Sequence, residues 1–139
     1  MVFVCLSALT CSAQTSNCIS VRVLNEKTGK PIRGVQVRMA WVVAQDSMYV
    51  DIGKTDKQGT ARYCLPIPTP SSFRLYFYVF SGPDEREEFD TEAVMKHGLI
   101  GKHPPDGPKL KHIPDPRPGE VLIFGERWWL IDRWLGPWP

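Results

Sequence analysis

From Cys18 to Leu24 the chain alternates, with Ile19, Val21 and Val23 on one face and Cys18, Ser20 and Arg22 on the other. A period of two marks a half-buried strand. The following "NEKTGKP" is a turn: Gly29 supplies the positive φ of a tight reversal, and Pro31 opens the next strand, where no ladder N–H is needed. Gly34 to Val43 is predicted as strand two and Ser47 to Lys54 as strand three, the latter with Met48, Val50 and Ile52 on one face. In the turn "TDKQG", Asp56 can bond its own backbone and Gly59 can take left-handed angles. Strand four follows at once, with Ala61, Tyr63 and Leu65 facing one way and Arg62 and Cys64 the other, until Pro66, Pro68 and Pro70 end pairing. Phe73 to Phe80, apolar or aromatic except at Arg74, is predicted as a central strand.

After an acidic patch, Asp84 to Glu92, "DTEAVMKHG" predicts a short helix. Asp90 is its N-cap, Phe89 and Val94 form a hydrophobic staple, and Gly98 terminates it. Lys102 to Gly119 holds six of the 13 prolines, so it is either an ordered arm or a flexible linker. "EVLIF" is a further strand. Short strands joined by Gly and Pro turns, with one helix after the fifth, predict an all-β fold: a small antiparallel β-sandwich with a Trp-rich C-terminal extension. The organisation expected is a signal peptide over 1–13, a β-sandwich over 18–100, a Pro-rich arm over 101–119, and a strand with the Trp-rich segment over 120–139 packing on the sandwich.

With 139 residues there is material for one core and not two. Lys plus Arg number 17 against 15 Asp plus Glu, and this net charge of +2 provides no global field for nucleic acid or an anionic membrane. The uncharged start contains the apolar run Val2 to Leu9, followed by small residues up to Ala13, the layout of an export signal. No Lys or Arg precedes the run, so the alternatives are a start upstream of Met1 or a hydrophobic arm. The run is too short for the ~20 apolar residues of a spanning helix, and no transmembrane anchor is expected. Cleavage after Ala13 would leave Cys18 and Cys64, both on the side of their strands opposite the core residues. If those strands are neighbours, the two thiols can form a disulfide in an oxidising compartment; the alternative is two unrelated buried thiols.

"VRVLNEKTGKPIRGVQV" followed by "GKTDKQGTARYCLP" resembles the carboxypeptidase regulatory-like and transthyretin-like domains of secreted proteins. Gly29, Lys30, Pro31, Gly34, Val35 and Val37 carry the first part, and Thr55, Asp56, Gly59, Tyr63 and Leu65 the second; together they span roughly Ile19 to Val79. The resemblance implies an exported immunoglobulin-like sandwich, usually a non-catalytic module of a larger assembly. Two enzymes with similar strand patterns do not fit. A hydroxyisourate hydrolase would need a His where Arg22 stands, an Arg near Lys54 and a Tyr-Arg-Gly-Ser terminus instead of "GPWP". An intradiol dioxygenase would need two Tyr and two His, including a His-x-His pair; the sequence has no such pair, and Tyr63 alone is a poor remnant of that set.

His97, His103 and His112 could in principle share a metal, but each directly follows a lysine and no further ligand completes a familiar spacing, so solvated loop is the simpler reading. No nucleophile context or phosphate-binding glycine loop is present. The tail concentrates Trp128, Trp129, Trp134 and Trp138 with Arg127 and Arg133. It is apolar nearly all round and must be covered, either as a lid on its own sandwich or as a docking element for a partner. The function expected is an exported, non-enzymatic module without cofactor, binding or scaffolding a protein or glycan at the cell envelope. An enzyme or metal-binding protein using Tyr63 and the His region is the alternative.

Overall fold

The computed structural model of the chain describes residues 17–77, 87–102 and 107–125. Eight strands and one helix follow in the order β1 Cys18–Asn25, β2 Gln36–Val43, β3 Asp46–Lys54, β4 Thr60–Cys64, β5 Ser72–Phe77, β6 Glu87–Asp90, α1 Thr91–His97, β7 Leu99–Ile100 and β8 Glu120–Gly125. They form two four-stranded sheets, β4-β1-β8-β7 and β3-β2-β5-β6. The fold is a small immunoglobulin-like β-sandwich, mostly antiparallel. Within the first sheet, β8 runs parallel to both β1 and β7.

Period two explains the core. Ile19, Val21, Val23, Val121 and Ile123 from one sheet meet Val37, Met39, Trp41, Phe73 and Leu75 from the other, all buried. At ~25 cal/mol per Å² of apolar surface, each such side chain contributes roughly 1.5–3 kcal/mol before chain entropy is charged. Trp41 reaches across to Tyr63, with ring centroids 6.0 Å apart.

β8 departs from alternation because both of its faces are covered: Val121 and Ile123 point into the core, while Leu122 and Phe124 join Leu24 in a second cluster on the outer side of the sheet. Leu110, from the proline-rich arm, lies over that cluster. The arm's described residues are thus ordered against the sheet, and Lys109 donates its backbone N–H to the Glu26 carbonyl at 2.8 Å.

The helix matches its sequence signals. Asp90 caps it by accepting from the Ala93 N–H at 2.7 Å, and Gly98, at φ 72°, returns its N–H to the Val94 carbonyl at 2.9 Å. The acidic patch departs from them. Its described part includes β6, paired along β5 with Phe89 buried in the core. A single apolar residue in four gave too little pattern to announce a strand. The first joint also differs: Pro31 makes only an isolated bridge to Leu24, and β2 begins at Gln36. The bend at Gly34, φ 85°, intervenes. The joint connects internal strands of two different sheets, β1 and β2.

Candidate functional site

Cys18 and Cys64 are bonded, with a Cα–Cα distance of 3.8 Å. They are register partners across β1 and β4. The ladder bonds at Leu65 N to Asn17 O and at Val23 N to Gly59 O, so the even-numbered β1 residues occupy non-hydrogen-bonded pairs, where facing side chains approach most closely.

The turn residues singled out by sequence gather at the opposite end of β1. Thr55, buried, ties two connections together: its hydroxyl donates to the Ile32 carbonyl at 2.7 Å and accepts from the Val35 N–H at 2.9 Å. Asp56 accepts from the N–H groups of Gln58 and Thr60, closing the β3–β4 turn. Gly59 is held so close to β1 that a Cβ would stand 2.5 Å from the Val23 carbonyl oxygen and 3.2 Å from the Pro31 Cβ. Gly29 faces the Leu110 side chain, and Gly34 borders open space. These residues shape backbone; none offers a reactive group.

The outer face of the second sheet is chemically richer. In β2 the residues Arg38, Ala40 and Val42 point away from the core, because Val37, Met39 and Trp41 point into it. Ala40 pairs with Tyr49 of β3 on one side and Arg74 of β5 on the other. Tyr49 and Tyr76 flank it with ring centroids 6.1 Å apart and planes tilted by 48°. The small Ala40 side chain leaves a shallow depression between them, lined also by Val42, Ser72, Arg74 and Glu88. Glu88 accepts from the Ser72 hydroxyl at 2.7 Å and stands 4.0 Å from the Arg74 guanidinium. Tyr49 is 65 % exposed and Val42 57 %. Aromatic faces, an apolar floor and a partnered charged rim can bind a ligand by stacking and hydrogen bonding.

Sequence reasoning passed over this face although it held the signal. Reading Met48, Val50 and Ile52 as the core face of strand three places Tyr49 outward, and the same parity puts Arg74 and Tyr76 outward on strand five.

Other predicted residues do not converge. Tyr63 is half-buried against Trp41, His97 ends α1 and His112 lies on the arm. Among the described residues no group of three or more His, Cys, Asp or Glu could hold a metal ion. Among them, too, no helix is long and apolar enough to cross a membrane. His103, Trp128, Trp129, Arg133, Trp134 and the segment 1–13 lie outside the described residues.

No protein-family model matches the chain, and no curated protein does. Among solved structures, the major pilin subunit of Bacillus cereus is similar, with 12% sequence identity and a TM-score of 0.35 over 80% of this chain. The chain spans 29% of that pilin, and a superposition this loose bears on neither function nor partners.

Proposed function

We propose that the chain is an exported β-sandwich module that binds a protein or glycan partner at the cell envelope and catalyses no reaction. The observation that carries the reading is the Tyr49–Tyr76 pair over Ala40, an exposed aromatic face on a rigid sheet. Export is supported by the Cys18–Cys64 disulfide, a bond that persists in oxidising compartments. The resemblance to carboxypeptidase regulatory-like and transthyretin-like domains agrees with a non-catalytic role. The Trp-rich tail is proposed to cover its own sandwich.

The test is co-sedimentation of the purified protein with washed cell envelopes of the producing organism. Wild-type protein should sediment with the envelopes, and a Tyr49→Ala/Tyr76→Ala variant with an unchanged melting temperature should remain in solution. Equal sedimentation of the two would move binding to another surface. Failure of the wild type to sediment would overturn the envelope role.

A further inference from the structure

Three connections that are far apart in the chain end on one pole of the sandwich, where β1 finishes, β2 starts and β3 turns into β4. The β1–β2 connection brings Lys27, Lys30 and Arg33, the β3–β4 turn brings Lys54 and Lys57, and the arm brings Lys109. All six are exposed, though Lys27 and Lys54 already make an interaction of their own; the described carboxylates in the same segments are Glu26, likewise partnered, Asp56, which is occupied closing its turn, and Asp115, further along the arm. The three segments are fastened to one another. Thr55 bonds Ile32 and Val35, the Gly34 N–H donates to the Thr55 carbonyl at 2.9 Å, and the Lys109 N–H donates to the Glu26 carbonyl at 2.8 Å. The acidic residues Asp46, Asp90 and Glu92 lie toward the other pole.

We propose that this basic pole binds an acidic polysaccharide, a linear polymer with carboxylate groups repeated along its length. Cations gathered from three loops provide charge complementarity over a stretch of polymer, and the fastened backbone means that little loop entropy is lost on binding. Choosing among polyanions rests on the export reading above, which puts nucleic acid out of reach. An anionic membrane is disfavoured on separate ground: the exposed apolar residues Val42, Val43 and Met48, which could enter a bilayer, are at or near the β2–β3 hairpin on the opposite pole.

The experiment measures binding of fluorescently labelled polygalacturonate by anisotropy at several salt concentrations. Wild-type protein should bind at low salt and weaken as salt rises, since each neutralised charge releases counterions. Lys30→Ala, Lys57→Ala and Lys109→Ala should each lower the slope of log affinity against log salt. Together, Lys30→Glu, Lys57→Glu and Lys109→Glu should abolish binding. Arg62→Glu, Lys96→Glu and Arg117→Glu, an equal charge change made elsewhere on the surface, should leave most of it. Equal loss from both triple variants would reduce the effect to net charge and overturn the site. Tighter binding to phosphatidylglycerol vesicles than to the polymer would overturn it in favour of a lipid surface. Because Tyr49→Ala/Tyr76→Ala should bind polygalacturonate normally, failure of the aromatic face and failure of the basic pole are separable results; loss of polymer binding in that variant would count against a site at the pole.

Discussion

Cys18 and Cys64 face each other across β1 and β4 at a non-hydrogen-bonded position, joining the first described strand to an edge strand of the same sheet. The bond closes a loop that contains both strands of the β2–β3 hairpin and therefore part of the other sheet. By the chain-entropy estimate a loop of this length restricts the unfolded state by roughly 4 kcal/mol. A Cys18→Ala/Cys64→Ala variant should lose about 3 to 4 kcal/mol in urea unfolding, and reductant should move the wild type toward the variant. Coincident unfolding curves for the two proteins would mean that the bond does not constrain the unfolded chain.

Glu120 is largely buried beside Arg22, with 2.9 Å between Nε and Oε1, and it also accepts the Arg117 N–H at 3.0 Å. Removing the carboxylate leaves a guanidinium only 25% exposed without its partner. Glu120→Ala should therefore cost about 2 to 3 kcal/mol, below the cost for fully buried pairs because water still reaches Arg22. Replacing both residues by apolar ones of similar volume, Arg22→Met with Glu120→Leu, should recover much of the loss. Urea denaturation of the two single variants and the double variant measures this, and additive losses would count against coupling.

Strands with one polar face were legible in the sequence because a half-buried sheet imposes alternation, as at Ile19, Val21 and Val23. What escaped was set by partners distant in the chain. β8 reads "VLIF" without alternation because Leu110 and Leu24 cover its outer side. Its parallel pairing with β1 has no local signature at all. The tyrosine face needed both the outward parity of two strands and their placement on either side of β2. The basic pole needed the fold itself, since Lys27 and Lys109 are brought together only when the arm bonds to Glu26.

Gly34 and Gly59 both have positive φ, 85° and 73°, but differ in what surrounds them. At Gly34 a Cβ meets nothing within 4 Å, so Gly34→Ala should cost only the left-handed backbone, about 1 kcal/mol. At Gly59 the same methyl group would strike the Val23 carbonyl, a backbone atom that cannot rotate aside. Gly59→Ala should cost at least about 2 kcal/mol more than Gly34→Ala, read from melting curves. Equal losses would show that β1 and the β3–β4 turn can separate freely.

Thr55 holds the same joint from within. Thr55→Ser keeps a hydroxyl for the Ile32 carbonyl and the Val35 N–H, whereas Thr55→Val leaves both of those bonds unmade. The valine variant should be about 2 kcal/mol less stable than the serine variant, with faster amide exchange at Val35. Indistinguishable exchange in the two variants would assign the joint's rigidity to its glycines.

Leu110 tests whether the proline-rich arm belongs to the folded unit. It is partly buried over Leu24, Leu122 and Phe124, and Lys109, which makes the arm's bond to Glu26, immediately precedes it. Leu110→Asp would set a carboxylate against three buried apolar side chains, which cannot hydrogen-bond it. A loss of about 2 kcal/mol follows from the apolar contact removed and the charge left beside that surface. Exchange at the Lys109 amide should accelerate in step, because the contact and the hydrogen bond hold the same turn of chain. Lost stability with unchanged Lys109 exchange would mean that the backbone bond alone anchors the arm; unchanged stability would mean that β8 is covered adequately without Leu110. The predicted result, both changing together, follows from β8 having two buried faces in a sandwich that provides inner cover for only one of them.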